Sequence, residues 1–305
     1  MSRCPMCYSA MVEEDHRAYL KLLKGYIDFE QFYEMYVRRR LDRGIRIPRG
    51  IDRNFDNPAS PVERDIKALI EEYRSAEVTK LETEIFAQKK RLADAERKLK
   101  LKETKAALES QRIATDKVAR ALGRLPLLKD TKPHKSDGRI FPLNYSPVVI
   151  HAGDRNVVRL ARYGVDHENK GIYNARRDNL ARYWGREFGV THAVMLVYSF
   201  YENVDRGGRN AVLHFVPQPA GPMFIACLYT EATDAKTGQK LLTYAAITDD
   251  PPAEVAAAGH DRMIVNLTPD NVQRWLTPQG RSIAELQSIL DDKQKPYYEH
   301  EELAA

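Results

Sequence analysis

The stretch AVMLVYSFY at residues 193–201 combines aliphatic with aromatic side chains and ends at the charged residue Glu202. A short run of this composition predicts a buried β-strand. Further runs of the same texture predict strands at residues 146–151, 157–163, 211–216, 223–229, 241–248 and 263–267. So many short strands indicate a curved antiparallel sheet or a barrel.

Helices are predicted around this β-rich region. Two short amphipathic segments precede it at residues 13–24 and 28–42, and we expect the aromatic side chains of the second in the core. Further helices fit between the strands at 178–188, 253–258 and 270–276. The whole pattern predicts an α+β fold with a curved, barrel-like sheet and flanking helices.

A long polar segment at residues 62–122 contains neither Gly nor Pro, and its abundance of Ala, Leu, Glu, Lys and Arg is typical of helix. The sequence Ser60-Pro61-Val62-Glu63 predicts a capping box at its start, and Gly123 marks its end. A single straight helix would be about 90 Å long. We therefore expect a hairpin of two helices with coiled-coil-like apolar spacing.

These segments divide the chain into four parts. Residues 1–60 hold an N-terminal cysteine segment and short helices, 61–125 a helical insertion, 139–292 the main β-rich part, and 293–305 a tail expected to be frayed. Residues 62–122 carry 15 Lys and Arg against 12 acidic residues, which favours a solvated surface over a DNA clamp. A protein partner or self-association through this insertion stays open.

The composition restricts the functional classes. The 305 residues carry a net charge of +5, which permits a polyanionic partner without requiring one. No run approaches the roughly 18 apolar residues of a membrane span, and the N-terminal region lacks a secretory apolar core. We expect a cytoplasmic protein with no membrane contact, and its three cysteines are too few for a disulfide framework.

The N-terminal cysteines allow two interpretations. Cys4 and Cys7 have the C-x-x-C spacing of a zinc or dithiol site, yet no second ligand pair exists, and Cys227 lies in an apolar run typical of a buried strand. Alternatively, Met6-Cys7 is a translation start, and trimming of Met6 makes Cys7 the N-terminal residue. Its α-amine and thiol could then condense with an aldehyde to a thiazolidine, without metal or cofactor.

Four ordered motifs share the pattern of a known family. They are MC at 6–7, NAR at 174–176, FYE at 200–202 and HDRM at 260–263, followed by WL at 275–276. Over residues 6–10 and 139–277 the chain resembles the SOS response-associated peptidase (SRAP) family, in a subgroup that begins M-C-Y-S-A and carries a helical insertion. It departs from the family pattern at Tyr8-Ser9 (usually Gly-Arg), Tyr163-Gly164 (Trp-Gly), Asn203 (Trp) and Ile264 (Pro).

The resemblance implies covalent capture of abasic sites in single-stranded DNA, as part of the DNA damage response at the nucleoid. Cys7 would form the thiazolidine. The resemblance gives proton transfer to Glu202, opening of the deoxyribose ring to His260, and orientation of the cysteine to Asn174. Each of these residue types has the chemistry that its role requires.

The same resemblance implies a set of DNA contacts. Arginine forks on either side of the catalytic groups suit the phosphates that flank an exposed abasic nucleotide. The primary candidates are Arg176 and Arg262, and the secondary candidates for backbone contact or base stacking are Arg177, Arg182 and Tyr163.

Other functions stay open beside this one. Thiazolidine formation needs a free amine on Cys7, so we expect translation from Met6 or removal of residues 1–6. Self-cleavage after Met6, assisted by Glu202 and His260, would be a peptidase-type activity. A cysteine hydrolase using Cys7, His260 and Asn174 is a further alternative, and a non-enzymatic adaptor would bind its partner through the helical insertion.

Overall fold

The computed structural model describes residues 9–13, 15–130, 132–167, 170–233, 238 and 240–303. The chain divides into two compact units, Met1–Glu63 together with Lys135–Ala305, and Arg64–His134. The first unit contains a β-sheet with short helices around it, and the second is helical. The fold is therefore α+β, as the sequence predicts.

The strands of the first unit vary in length from short bridging pieces to the long β9. They are β1 Ser9–Val12, β2 Gly25–Ile27, β3 Arg139–Ile140, β4 Tyr145–Ala152, β5 Arg155–Tyr163, β6 Val165–His167, β7 Lys170–Ile172, β8 Asn174–Arg176, β9 His192–Asp205, β10 Asn210–Gln218, β11 Met223–Thr233, β12 Lys240–Asp249, β13 Met263–Ile264, β14 Asn266–Leu267 and β15 Tyr297–Glu302.

Helices lie before, between and after these strands. They are α1 His16–Leu23, α2 Phe29–Leu41, α3 Arg49–Arg53, α4 Pro61–Leu101, α5 Lys105–Lys129, α6 Leu180–Tyr183, α7 Ala253–Ala257, α8 Pro269–Leu276 and α9 Ile283–Asp291. No helix in the described ranges combines the length and the apolar composition needed to cross a bilayer.

Five strands close into a barrel in the order β9, β11, β12, β5, β4 and back to β9. Four of the five neighbouring pairs are antiparallel, whereas β12 and β5 run parallel. A closed sheet with an odd number of strands cannot alternate direction throughout, so one parallel pair is required. The predicted barrel-like sheet is confirmed, with this one geometric exception within the barrel.

The long strand β9 leaves the barrel partway along its length. Residues 192–197 pair with β11 inside the barrel, and residues 200–205 pair with β10 outside it. Strand β1 lies along the other edge of β9, with Ser9 opposite Tyr201. This course places the end of β9, where Glu202 lies, beside the first described residues of the chain.

Several sequence predictions need correction. The predicted strand 263–267 is two short strands, because β13 pairs with β12 whereas β14 pairs with β11. The predicted helix 178–188 ends at Tyr183, before Gly185 and before Gly189, which has a φ of +89° that favours glycine. Helix α9 and its capping box between Ser282 and Glu285 were not predicted.

The chain after Lys293 is ordered, so the prediction of a frayed tail is wrong. Strand β15 pairs with β10 over six residues. Tyr298 is buried, and its ring packs edge-on against Phe200 with centroids 5.5 Å apart. The alternation of exposed charged residues with one buried aromatic residue hides this strand in the sequence.

The second unit is an antiparallel hairpin of α4 and α5. The predicted capping box is present, since the backbone amide of Ser60 donates to Glu63 and that of Glu63 donates to the Ser60 hydroxyl. The helices contact each other through buried small residues seven positions apart, Ala107, Ala114 and Ala121 on α5. Helix α5 passes the predicted end at Gly123 and continues to Lys129.

Candidate active site

A buried acid–base pair lies where β9 ends. Glu202 belongs to this strand, and His260 follows α7 after Gly259, whose φ of +100° is accessible to glycine at low cost. The His260 Nε2 atom lies 3.1 Å from Oε2 of Glu202, and both side chains are fully buried. The two motifs FYE and HDRM therefore meet in space.

The hydrogen bond on the far side of the His260 ring fixes its tautomer. Nδ1 lies 2.7 Å from the carbonyl oxygen of Arg262, so Nδ1 carries a proton and donates it there. A neutral ring then has a lone pair on Nε2, facing a carboxylate oxygen that also has lone pairs. At 3.1 Å the two atoms are close enough to exchange a proton directly.

Burial also shifts the titration of the imidazole. Desolvation lowers the pKa of His260 below its usual 6.5, and the hydrogen bond to the Arg262 carbonyl opposes this shift without reversing it. The ring therefore resists becoming an isolated cation. A neutral, oriented imidazole beside a carboxylate suits proton transfer better than it suits permanent ion pairing.

The first described strand, β1, lies beside β9, the strand that carries Glu202. Ser9 is opposite Tyr201, the neighbour of Glu202, and the Ser9 hydroxyl accepts a hydrogen bond of 3.1 Å from Nε of Arg139. Cys7, the predicted nucleophile, lies outside the described residues, as does Cys4.

A hydrogen bond from Tyr163 orients the side chain of Asn174. It lies on β8 and is buried, and the Tyr163 hydroxyl donates to its Oδ1 over 3.2 Å. The Tyr163 ring is itself buried and stacks on Tyr244 with centroids 5.2 Å apart. This placement does not suit the base stacking expected of Tyr163. The residue instead fixes the orientation of the Asn174 amide.

A surface cavity of about 310 Å³ collects several of the predicted site residues. Asn174, Arg176 and Arg262 all line it, and the hydrogen bond between Arg262 and His260 links it to the buried pair. The remaining lining residues are Gly171, Ile172, Asn179, Tyr183, Trp184 and Thr248. The structure thus brings together predicted site residues that are up to 88 positions apart in the sequence.

The four candidate arginines have different environments. Arg176 is exposed and hydrogen-bonds to Asp178, which lowers the pKa of that carboxyl group. Arg262 lies half-buried at the cavity wall. Arg182 is exposed on α6 and is not among the lining residues.

The fourth arginine, Arg177, is committed to internal contacts. Its guanidinium donates to Asp249 over 2.9 Å, to Asp291 over 2.5 Å and to the side chain of Gln287. These contacts tie the end of β12 to α9. The expected contact between Arg177 and DNA would require breaking them, so the geometry assigns this residue a structural role.

Thr248 is a site residue that sequence reasoning missed. It is fully buried at the end of β12, lines the cavity, and its hydroxyl makes no hydrogen bond to any described residue. An unsatisfied buried hydroxyl is costly unless a ligand or water completes it. The only signal in the sequence is its position at the end of a predicted strand, which is too common to identify a site.

No group of three or more metal-ligating side chains occurs within the described parts of the chain. Cys227 is fully buried on β11, as predicted, and burial raises the pKa of its thiol well above the ordinary value. It is therefore an inert core residue.

Comparisons with known proteins give one family. The family model described as "SOS response associated peptidase (SRAP)" matches residues 104–304, about two thirds of the chain. The matched range contains Asn174, Glu202 and His260 and excludes Cys7. No curated protein matches the chain.

Three solved structures show partial similarity, each covering 55% of this chain. One is a protein from Bacteroides thetaiotaomicron, with 18% identity, 78% of its own chain covered and a TM-score of 0.46. Two are from Bordetella bronchiseptica. The first has 16% identity, 88% coverage and a TM-score of 0.45, and the second, a phage-related protein, has 18%, 82% and 0.45.

Proposed function

The chain belongs to the SOS response associated peptidase family, and we propose that it captures abasic sites in single-stranded DNA through a covalent bond to Cys7. The captured lesion would be shielded during the DNA damage response. A protein with this activity would be associated with the nucleoid.

The observation that supports this proposal most directly is the contact between Glu202 and His260. The two groups lie 3.1 Å apart and away from solvent, and Glu202 is on the strand that pairs with β1. Condensation of an amine with an aldehyde needs a proton donor for the departing hydroxyl group. We propose that the pair supplies this donor to Cys7.

The proposed reaction joins two groups of Cys7 to one carbon. His260 protonates the ring oxygen of the deoxyribose as the sugar opens to its aldehyde, and the proton that the C1 hydroxyl gives up returns to the Glu202–His260 pair. The α-amine of Cys7 adds to the aldehyde carbon and one of its protons moves to the oxygen; Glu202 then delivers the proton with which the hydroxyl leaves as water, and it regains a proton from the nitrogen as the imine forms. The Cys7 sulfur then adds to the imine carbon, its proton passes to nitrogen, and a thiazolidine results with net loss of one water.

The cavity beside the pair would hold the sugar and its phosphates. Its volume of about 310 Å³ accommodates one nucleotide that lacks a base, and Arg176 and Arg262 offer guanidinium groups to the flanking phosphates. Thr248 and Asn174 offer a hydroxyl and an amide to the opened sugar. Because the aldehyde is inaccessible in stacked duplex DNA, the substrate is single-stranded or extruded.

The chemistry requires that residues 1–6 be absent when Cys7 reacts. An amide nitrogen cannot form the imine, so the reactive chain starts at Cys7 after translation from Met6 or after cleavage.

The proposal is tested by incubating a chain that begins at Cys7 with single-stranded DNA containing one abasic site, followed by denaturing electrophoresis. We expect a heat-stable shifted band that Cys7→Ala abolishes. The matched control is Cys227→Ala, which removes a buried, inert thiol and should leave the band intact. A band that survives Cys7→Ala excludes the proposed chemistry.

A second activity uses the same groups. Cleavage of the peptide bond between Met6 and Cys7, with addition of water across it, would release the amine that the capture reaction needs. The pairing of β1 with the strand that carries Glu202 supports this peptidase-type step. Mass measurement of a chain expressed with residues 1–6 tests it, because Glu202→Gln should leave those residues attached.

A further inference from the structure

One end of the helical hairpin carries a net positive charge. Residues 88–112, here called the hairpin tip, surround the turn between α4 and α5 and contain nine Lys and Arg but four acidic residues. The resulting excess of five positive charges equals the net charge of the whole chain. The remaining residues are therefore neutral in sum.

Ion pairing distinguishes the tip lysines from several other cations of the hairpin. Within the tip, Arg97 and Arg112 pair with acids, whereas Arg64, Arg74 and Arg120 outside it have no carboxylate within ion-pair distance among the described residues. Five further cations outside the tip contact acids of the same unit. These pairs are Lys67–Glu71, Lys80–Glu77, Arg124–Glu77, Lys117–Glu84 and Lys129–Glu82. The tip lysines Lys89, Lys90, Lys98, Lys100, Lys102 and Lys105 have no carboxylate within ion-pair distance among the described residues. Their charges are thus available to an external anion.

A groove of about 580 Å³ lies between the two helices at the tip. Lys90, Arg91 and Lys98 line it, and its floor is made of alanine side chains. Nε of Arg91 donates to the Ser110 hydroxyl across the groove over 2.9 Å, which holds this guanidinium in place. The small floor residues let an extended chain approach closely, and Asp94 is the acidic residue of the lining.

From this distribution we propose that the hairpin tip is a second nucleic-acid site, which binds the phosphate backbone independently of sequence. Lysine ammonium groups are mobile point charges suited to phosphates. Residues 88–112 contain no aromatic side chain that could stack on a base. Lys89 and Lys100 lie outside the groove, so positive charge surrounds the tip, which suits a polyanion better than a single complementary protein surface.

This site does not depend on the capture chemistry of Cys7. Its proposed role is to hold undamaged single-stranded DNA that contains no aldehyde. The two proposals can therefore fail separately, because one is measured as equilibrium binding and the other as a covalent product.

The experiment measures binding of the full chain to an undamaged single-stranded oligonucleotide over a range of salt concentrations. The test variant is K89Q/K90Q/K98Q, because Gln keeps a helix propensity close to that of Lys. We expect weaker binding and a slope of log affinity against log salt that is smaller by about 0.7 for each phosphate that the variant no longer neutralises. Circular dichroism verifies that both helices remain folded.

The matched control is K67Q/K80Q/K117Q, which removes the same charge from ion-paired positions of the hairpin. We expect its salt slope to equal that of the unmodified chain. Equal weakening in both variants would show that only net charge matters and would overturn the proposal. An unchanged DNA slope in the tip variant, together with abolished binding of polyglutamate, would overturn it in favour of an acidic protein partner.

Discussion

The imidazole of His260 lies 3.1 Å from the carboxylate of Glu202, and its other nitrogen donates to the backbone carbonyl of Arg262. The second contact determines what the first can do, because a ring with its Nδ1 proton engaged has only Nε2 left for proton exchange. Nε2 is therefore the atom through which His260 can exchange a proton with Glu202.

Glu202→Gln keeps the size of the side chain but removes its ability to exchange a proton. We expect the rate of abasic-site capture to fall by about 10²- to 10⁴-fold, the usual contribution of a general acid–base group. The rate is measured from the time course of the shifted band. Glu231→Gln at an exposed position of β11 is the control, and equal rates for the two variants would contradict the role of Glu202.

Tyr163→Phe tests the support of Asn174. The ring and its stacking on Tyr244 are kept, whereas the hydrogen bond of 3.2 Å to Oδ1 of Asn174 is removed. A hydrogen bond worth about 0.5 to 1.5 kcal/mol corresponds to a roughly two- to tenfold slower capture. Tyr26→Phe, at an exposed position, should leave the rate unchanged. A Tyr163→Phe chain as fast as the control would assign this tyrosine to packing alone.

His192 should make stability depend on pH. Burial lowers the pKa of His192 from 6.5 to about 4, and the amide of Gly189 donates to its Nε2 over 2.8 Å, which leaves no room for a proton there. The unfolded chain binds a proton at higher pH than the folded chain does. This contribution to stability is therefore complete above pH 6.5 and is lost as the pH falls toward about 4.

The expected loss over that window is about 3 kcal/mol of unfolding free energy, at roughly 1.4 kcal/mol for each unit of pKa shift. Urea unfolding at both ends of the window measures it. His192→Gln should be less stable at neutral pH and should lose this part of the pH dependence, whereas His300→Gln on an exposed part of β15 should keep it. Identical pH slopes in the two variants would exclude His192 as the origin.

Two adjacent tyrosines test whether the last strand contributes to the fold. Tyr298 is buried against Phe200, whereas Tyr297 is 59% exposed. Tyr298→Ala should lower the unfolding free energy by about 3 to 5 kcal/mol, and Tyr297→Ala by at most about 0.5 kcal/mol. Equal effects would mean that β15 is held by its backbone hydrogen bonds alone.

Local signals in the sequence identify the longer elements of this fold and miss those set by distant contacts. The apolar runs behind β4, β5 and β9 predict strands because each is buried on both faces. The pairing of β13 with β12 and of β14 with β11 depends on the path of the whole barrel, so the run at 263–267 cannot reveal it. Strand β15 is hidden for a related reason, since its one buried ring finds its partner on β9.

The sequence likewise predicts only part of the candidate site. Motifs point to Asn174, Glu202 and His260, and the structure brings Glu202 and His260 into contact. The motifs could not distinguish Arg177, whose partly buried guanidinium links the end of β12 to α9, from Arg176, which is exposed and pairs with its neighbour Asp178, because the sequence does not show the surroundings of an arginine. Thr248 has no motif, and only the cavity reveals it.

The most direct test of covalent capture is the intact mass of the product formed from chains with and without residues 1–6. With single-stranded abasic DNA, the chain that begins at Cys7 should give a conjugate whose mass is the sum of both molecules minus one water. The chain that retains residues 1–6 should give none. A conjugate formed equally well by the longer chain, with those residues still present in its mass, would contradict thiazolidine formation at Cys7.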